Sequence, residues 1–393
     1  MSVKGSFSTA PKFETGQSVV QDLVVSMLDK GTTKRSKIEL ATLLEDCGAS
    51  IRFNSAGPRI RWEVKCLKPD LDRVLDLVNE QLRFPLFDET EFSQLKARIL
   101  AQIKRLESDT GSRANDFLAR TIFQPSHPLF TFNGAKTAEL VRKTTVDDLN
   151  LFWRTQFGVQ NLIVSAVGDL ADTYPESLLS ILMEGLEEVE LEHGEFGMME
   201  SLLKSDRNHI EIPDRMNLDV KMGHGVRLVK TDPDFLPLTV GVFLLGGNFS
   251  SHLMSTIRDR DGFTYGIRSG LSGITRDHSG AWITSVTLSQ DKLEEGIRAT
   301  EKEMATFLTS KTTQAGLDAC KSTLIGSYQI NLSTTGGIAS SLISNAESGF
   351  PLGRIDSYPE EIERLKEDQI DRVMSHHLHL DQLHVVSAGT ELH

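Results

Sequence analysis

The stretch "HHLHLDQLH" (376–384) is where metal chemistry would first be sought. His376 and His379 stand three residues apart on a helix end, a spacing that brings two imidazoles to one face. No cysteine or acidic pair accompanies them apart from Asp381, so a histidine-rich surface helix end is the better reading. His127 in "HPLF" and His224 in "MGHG" sit where turn or packing roles suffice. Cys47, Cys66 and Cys320 are odd in number and widely spaced, which indicates neither a disulfide framework nor a thiolate metal site. They read as buried free thiols, which suit a reducing compartment.

Two other groups could bind or polarise a substrate. In "IRDRDGFTY", Arg258 and Tyr265 stand seven residues apart. Gly262 between them suits the left-handed position that ends a helix. Arg258 then falls in the last helical turn, and Tyr265 opens the next strand. Arg258 and Arg260 would complement the helix dipole there, and Tyr265 would serve as a strand aromatic. In "LLGGNFSS" (244–251), Gly246 and Gly247 could admit a close backbone approach. They could equally end one helix while Asn248, Ser250 or Ser251 caps the next.

The elements that must position these residues are legible as a repeat. "VDDLNLFWRTQFGVQNLIVSAVGDL" (146–170) lies on "EDQIDRVMSHHLHLDQLHVVSAGTEL" (367–392) at a constant offset of 221 residues. Leu149 meets Ile370, Leu162 meets Leu383 and Gly168 meets Gly389. Each copy is an amphipathic helix, a turn and an apolar strand closed by glycine. "PDLDRVLDLV" (69–78) matches "QDKLEEGIRA" (290–299), each after an alternating strand, and "LKARILAQI" (95–103) matches "LDACKSTLI" (317–325). The shared order of elements implies duplication. The expected fold is α+β: two similar domains, each a mostly antiparallel sheet with helices packed on it. The domains run over 1–184 and 210–393. The acidic stretch 185–209 links them, with one helical turn at "MMESLL" and a strand at "IEIP" (210–213).

The 393 residues suit two domains of about 200 each. A net charge of -13 without a basic run argues against nucleic-acid or anionic-membrane partners. No apolar run reaches the length of a membrane span, and the first twenty residues lack the apolar core of a signal peptide. "MSVKGSFS" alternates as a strand from its first residue, which suits a processed chain or one half of a longer protein. The compartment, cytoplasmic or periplasmic, stays open.

With two α+β halves in view, "SMLDKGTTKRSKIELATLLEDCGAS" (26–50) resembles the pitrilysin/insulinase family of zinc peptidases. So do "LRFPLFDETEF" (82–92), "HPLFTFNGAKTAELVRKTTVDDL" (127–149) and "LLGGNFSSHLMSTIRDRDGFTYGI" (244–267). The resemblance covers nearly the whole chain apart from the linker and an initial strand. In that family the helix before "KGT" carries His-x-x-Glu-His, with a glutamate ligand on a later helix. The corresponding positions here are Asp22, Val25, Ser26 and Gln102. Val25 accepts no proton, Ser26 is a poor zinc ligand, and an amide is a far weaker ligand than a carboxylate. The helix is apolar nearly all round through Val19, Val20, Leu23, Val24, Met27 and Leu28, as a buried packing element should be. Gln102 falls on the inner stripe of its own helix and reads as a hydrogen-bonded core amide.

The resemblance gives Arg258 and Tyr265 a role. In the family, such a pair reaches a zinc site from the other half: the tyrosine donates to the developing oxyanion and the arginine positions the substrate backbone. Gly246, Gly247 and Asn248 would correspond to a shortened glycine-rich loop presented to peptide substrates. The reading that follows is a non-catalytic subunit or half of a zinc peptidase, akin to the mitochondrial processing type and inactive alone. This chain would carry no cofactor. Zinc would reside in a partner bearing His-x-x-Glu-His, in a heterodimer or homodimer that takes a peptide substrate. The alternative is a structural protein that uses the same frame as a scaffold without any peptidase role.

Overall fold

A computed structural model of the chain describes residues 1–159, 161–171, 174–191, 196 and 205–390. The turn expected at "MMESLL" lies outside them.

The first sheet comprises β1 (Ser2–Ser8), β2 (Ser50–Ser55), β3 (Arg59–Lys65) and β4 (Ile163–Val167) in the order β2-β3-β1-β4, antiparallel throughout. The second comprises β5 (Arg207–Glu211), β6 (Asn217–Val226), β7 (Ile267–Ser272), β8 (Gly280–Ser289) and β9 (His384–Gly389) in the order β5-β9-β6-β8-β7. It is antiparallel except where β5 runs parallel to β9. The order β2-β3-β1-β4 thus recurs as β7-β8-β6-β9. The helices Val146–Gln156 and Glu367–His377 precede β4 and β9 as the repeat requires. Among the described residues, β5 alone has no counterpart in the first sheet. It begins at Arg207, inside the stretch read as linker and ahead of "IEIP", because Arg207 already pairs with Val385. Cross-strand pairing decides that boundary, and composition does not record it.

The chain forms two compact units. The first holds Met1–Ile103, Ala135–Glu195 and Gln329–Ile355, and the second holds Lys104–Gly134, Phe196–Tyr328 and Asp356–His393. Each therefore takes in a stretch from the other sequence half. In the first unit the helix Thr335–Glu347 packs on β1 and β4, and Arg61 clasps Glu347 through two hydrogen bonds of 2.9 and 2.7 Å. In the second, the helix Thr110–Ile122 lays Ala114, Leu118 and Ile122 on Ala281, Val386 and Ala388. Small side chains on both surfaces let helix and sheet approach closely.

The first core gathers Phe7, Leu23, Val24, Met27, Trp62 and Leu75, and the second Met222, Leu238, Leu253, Trp282 and Met374. All three cysteines are buried and free. Among the described residues, no helix is long and apolar enough to cross a membrane.

Candidate functional site

In the first unit the helix Gln17–Met27 buries Leu23, Val24, Val25 and Met27. It is anchored by Gln21, a buried amide that accepts from Thr9 Oγ1 (2.6 Å) and donates to Ser55 Oγ (2.7 Å) and the Gly57 carbonyl (2.8 Å). Of the four positions corresponding to the zinc motif, Val25 is core at 6% exposure, Ser26 is half-buried, and Asp22 is exposed. Gln102 is exposed as well, which corrects its reading as a core amide. The helix Glu89–Leu106 buries only Phe92 and Leu95, so its C-terminal half has no core for Gln102 to enter. These residues do not fit a zinc ion: Val25 offers no donor atom, and the others supply one carboxylate, one hydroxyl and one amide. Among the described residues no group of three or more His, Cys, Asp or Glu could hold a metal.

The second unit builds a cleft. The helix Phe235–Gly246 is apolar on every side and largely buried. It ends against β7, where a Cβ on Gly246 would stand 2.5 Å from Ser269 Cβ and 2.6 Å from Ser269 N. Gly246 is therefore required by helix–strand packing. Asn248 then turns the chain: its Oδ1 accepts from Ser250 N–H (3.0 Å), and its carbonyl accepts from Ser251 Oγ (2.6 Å).

The chain re-enters a helix that is π-wound over Met254–Arg260, with Asp261 N–H donating to the Thr256 carbonyl at 2.9 Å. Gly262 follows at φ 65°, the left-handed stop expected there. Its two arginines differ sharply. Arg260 is locked by Asp261 (2.7 Å twice) and by the buried Glu303 (3.0 Å), whose other oxygen pairs with His252 at 2.9 Å. Among the described residues Arg258 pairs only with its neighbour Asp259, at 3.0 Å, and lies over the exposed Phe249 ring, 5.8 Å from its centroid. Tyr265 is not in the strand it was expected to open. β7 begins at Ile267, and Tyr265 sits in the preceding turn with its side chain 98% exposed.

Gly246, Gly247, Asn248, Phe249 and Tyr265 line one cleft of about 540 Å³. Arg258 borders it through Phe249. The structure thus gathers the glycine loop and Tyr265 around one space, while Asp22, Val25, Ser26 and Gln102 belong to the first unit.

The cleft floor holds residues that sequence reasoning missed. Lys221 of β6 is registered with Ser285 of β8, and Ser285 with Arg268 of β7. The three form one row across neighbouring strands, with Lys221 Nζ donating to Ser285 Oγ at 2.9 Å. Burial holds the Lys221 ammonium below its usual pKa against the pull of Asp219 and Asp109. Alternation in "NLDVKMGHG" signals an open face at Lys221, but only cross-strand register unites the row.

His127, His224 and His377 have packing or pairing roles. His127 is stacked on Phe123 (4.5 Å), and His224 is buried beside Trp282. His377 pairs with Asp234 at 3.1 Å, and His376 is exposed at its helix end.

Two family models match the chain: Insulinase (Peptidase family M16) over residues 20–129, and Peptidase M16 inactive domain over 143–324. The chain belongs to the insulinase peptidase family. Its relatives include the non-peptidase homolog YmxG of Helicobacter pylori, 24% identical over 385 residues, 98% of this chain and 86% of that protein. The probable mitochondrial-processing peptidase subunit beta of Arabidopsis thaliana is 25% identical over 142 residues, 36% of this chain and 26% of that protein. Among solved structures, a peptidase M16 inactive domain from Pseudomonas fluorescens superposes with a TM-score of 0.89 at 21% identity, covering 100% of this chain and 92% of that one. The insulinase-family fold is thus shared over the whole chain.

Proposed function

We propose that this chain is the non-catalytic partner of an insulinase-family peptidase that carries an intact His-x-x-Glu-His motif and its zinc. The observation that carries the reading is a contrast between the two units. The motif positions hold Asp22, Val25 and Ser26, with Val25 in the core, while Tyr265 stands 98% exposed on a cleft that also presents Gly246, Gly247 and Asn248. A phenol on a turn beside an open cleft can donate to an oxygen as negative charge develops on it. Arg258, tied only to the adjacent Asp259, can turn its remaining donors to a substrate backbone. Arg260 cannot, because Asp261 and Glu303 hold it. The name of one relative, a non-peptidase homolog, supports the non-catalytic part of this reading.

The test is reconstitution. Purified chain is mixed with a family member of the same organism that carries the motif, and cleavage of extended peptides is followed. The pair is expected to cleave where either chain alone is poor. Tyr265→Phe should lower turnover of the pair by an order of magnitude or more, since an oxyanion donor is typically worth ~10²–10³ in rate. An unchanged rate, or failure of any motif-bearing protein to co-purify, would move the chain to a scaffold role.

A further inference from the structure

Lys221 and Arg268 approach the cleft from opposite sides of Ser285. Adjacent strands lie ~4.8 Å apart, so these two long cationic side chains start on the order of 10 Å from each other and can converge over the serine. Among the described residues neither forms an ion pair. Two carboxylates, Asp219 and Asp109, act on Lys221 through their charge while accepting hydrogen bonds from other groups. Asp219 accepts from Thr287 Oγ1 and Thr110 Oγ1, each at 2.6 Å, and Asp109 caps the helix Thr110–Ile122 by accepting from Ser112 N–H at 2.8 Å. In a chain of net charge -13, a cleft lined by Lys221 and Arg268 against the one carboxylate of Asp219 keeps a net positive charge, a local exception.

β7 is also an edge strand: among the described residues it pairs with β8 alone. Arg268 is exposed on the cleft, while the side chains of Ile267 and Ser269 on either side of it are buried. An extended peptide added along β7 would place alternate side chains on the cleft face, one of them opposite Arg268.

We propose that the cleft binds an extended peptide along β7 and that Arg268 and Lys221 select a carboxylate on it, with the Ser285 hydroxyl between them. The inference rests on the reading of this cleft as a peptide site and names the chemistry that site prefers. Exposed ion pairs gain little, but Lys221 is partly desolvated, and a carboxylate bridging two cations and a hydroxyl makes charge-assisted hydrogen bonds to fixed donors.

The experiment is fluorescence anisotropy on the full purified chain with three short labelled peptides that share an apolar extended sequence. One has a single central Glu and an amidated end, the second has Gln in its place, and the third has Gln with a free C-terminal carboxylate. The Glu peptide is expected to bind roughly tenfold more tightly than its Gln counterpart at low salt, with the difference shrinking as salt rises. Arg268→Gln and Lys221→Met should each abolish most of that difference. If the free-terminus peptide gains instead, the carboxylate selected is that of a chain end. Equal binding of all three overturns the selection and leaves the cleft a peptide site. Binding of none overturns both.

Discussion

His224 and His379 are joined by a hydrogen bond that a protonated ring could not accept: the backbone N–H of His379 donates to His224 Nε2 at 3.0 Å. The other ring nitrogen, Nδ1, donates to the Gly225 carbonyl at 2.8 Å, so the ring is neutral with its proton on Nδ1. Burial takes the His224 pKa down to about 4. His127, buried between Phe123 and His278, is likewise held at about 4.

A pH dependence follows. Both groups have folded pKa values below the unfolded value, so the unfolded chain takes up protons first on acidification. Their contribution is fully present above about pH 6.5 and is lost progressively toward pH 4, at up to about 3 kcal/mol per histidine. His278 and His384, also lowered by burial, act in the same direction. Urea midpoints should hold from pH 7.5 to about 6.5 and then fall toward pH 4.5; a flat profile would show that these rings take up protons as readily in the folded protein as in the unfolded chain.

The two arginines of the π-wound helix should separate stability from function. Arg260→Ala removes a partner of the buried Glu303 and should lower the unfolding midpoint measurably. Arg258→Ala should leave the unfolding midpoint within about 0.5 kcal/mol, since exposed pairs are worth little. It should nonetheless raise KM or lower kcat of the reconstituted pair. The reverse pattern would make Arg258 the structural residue.

Gly246→Ala should destabilise by about 1–3 kcal/mol, because the added methyl must displace the Ser269 backbone rather than a flexible side-chain end. Thermal denaturation would register the loss. A neutral result would mean that the helix end can slide along β7.

Val25→Glu, which restores one motif residue, should not be tolerated as the native valine is. A carboxylate placed where only 6% of the residue is exposed costs about 2–4 kcal/mol or takes up a proton. The variant should therefore gain relative stability as pH falls from 8 to 5, opposite in sign to the histidines, and denaturation at the two pH values would show it.

Much of this was legible without coordinates. The helices Val146–Gln156 and Glu367–His377, the strands after them and the shared order of elements follow from apolar periodicity, a local property that survives in each copy. The loss of the metal motif is equally local, because Val25 lacks a donor atom whatever surrounds it. The sequence also determined the stop at Gly262, since a left-handed residue is a matter of one backbone position. Other features depend on what lies across the fold. Gln102 has the spacing of a core residue, yet it is exposed because its helix outruns the core. Tyr265 was placed one element too late, because only pairing with β8 decides where β7 begins. Arg258 and Arg260 are indistinguishable in "IRDRD" and are told apart by Glu303, more than forty residues away. The row Lys221–Ser285–Arg268 joins three strands by register, and register is set only when the sheet assembles.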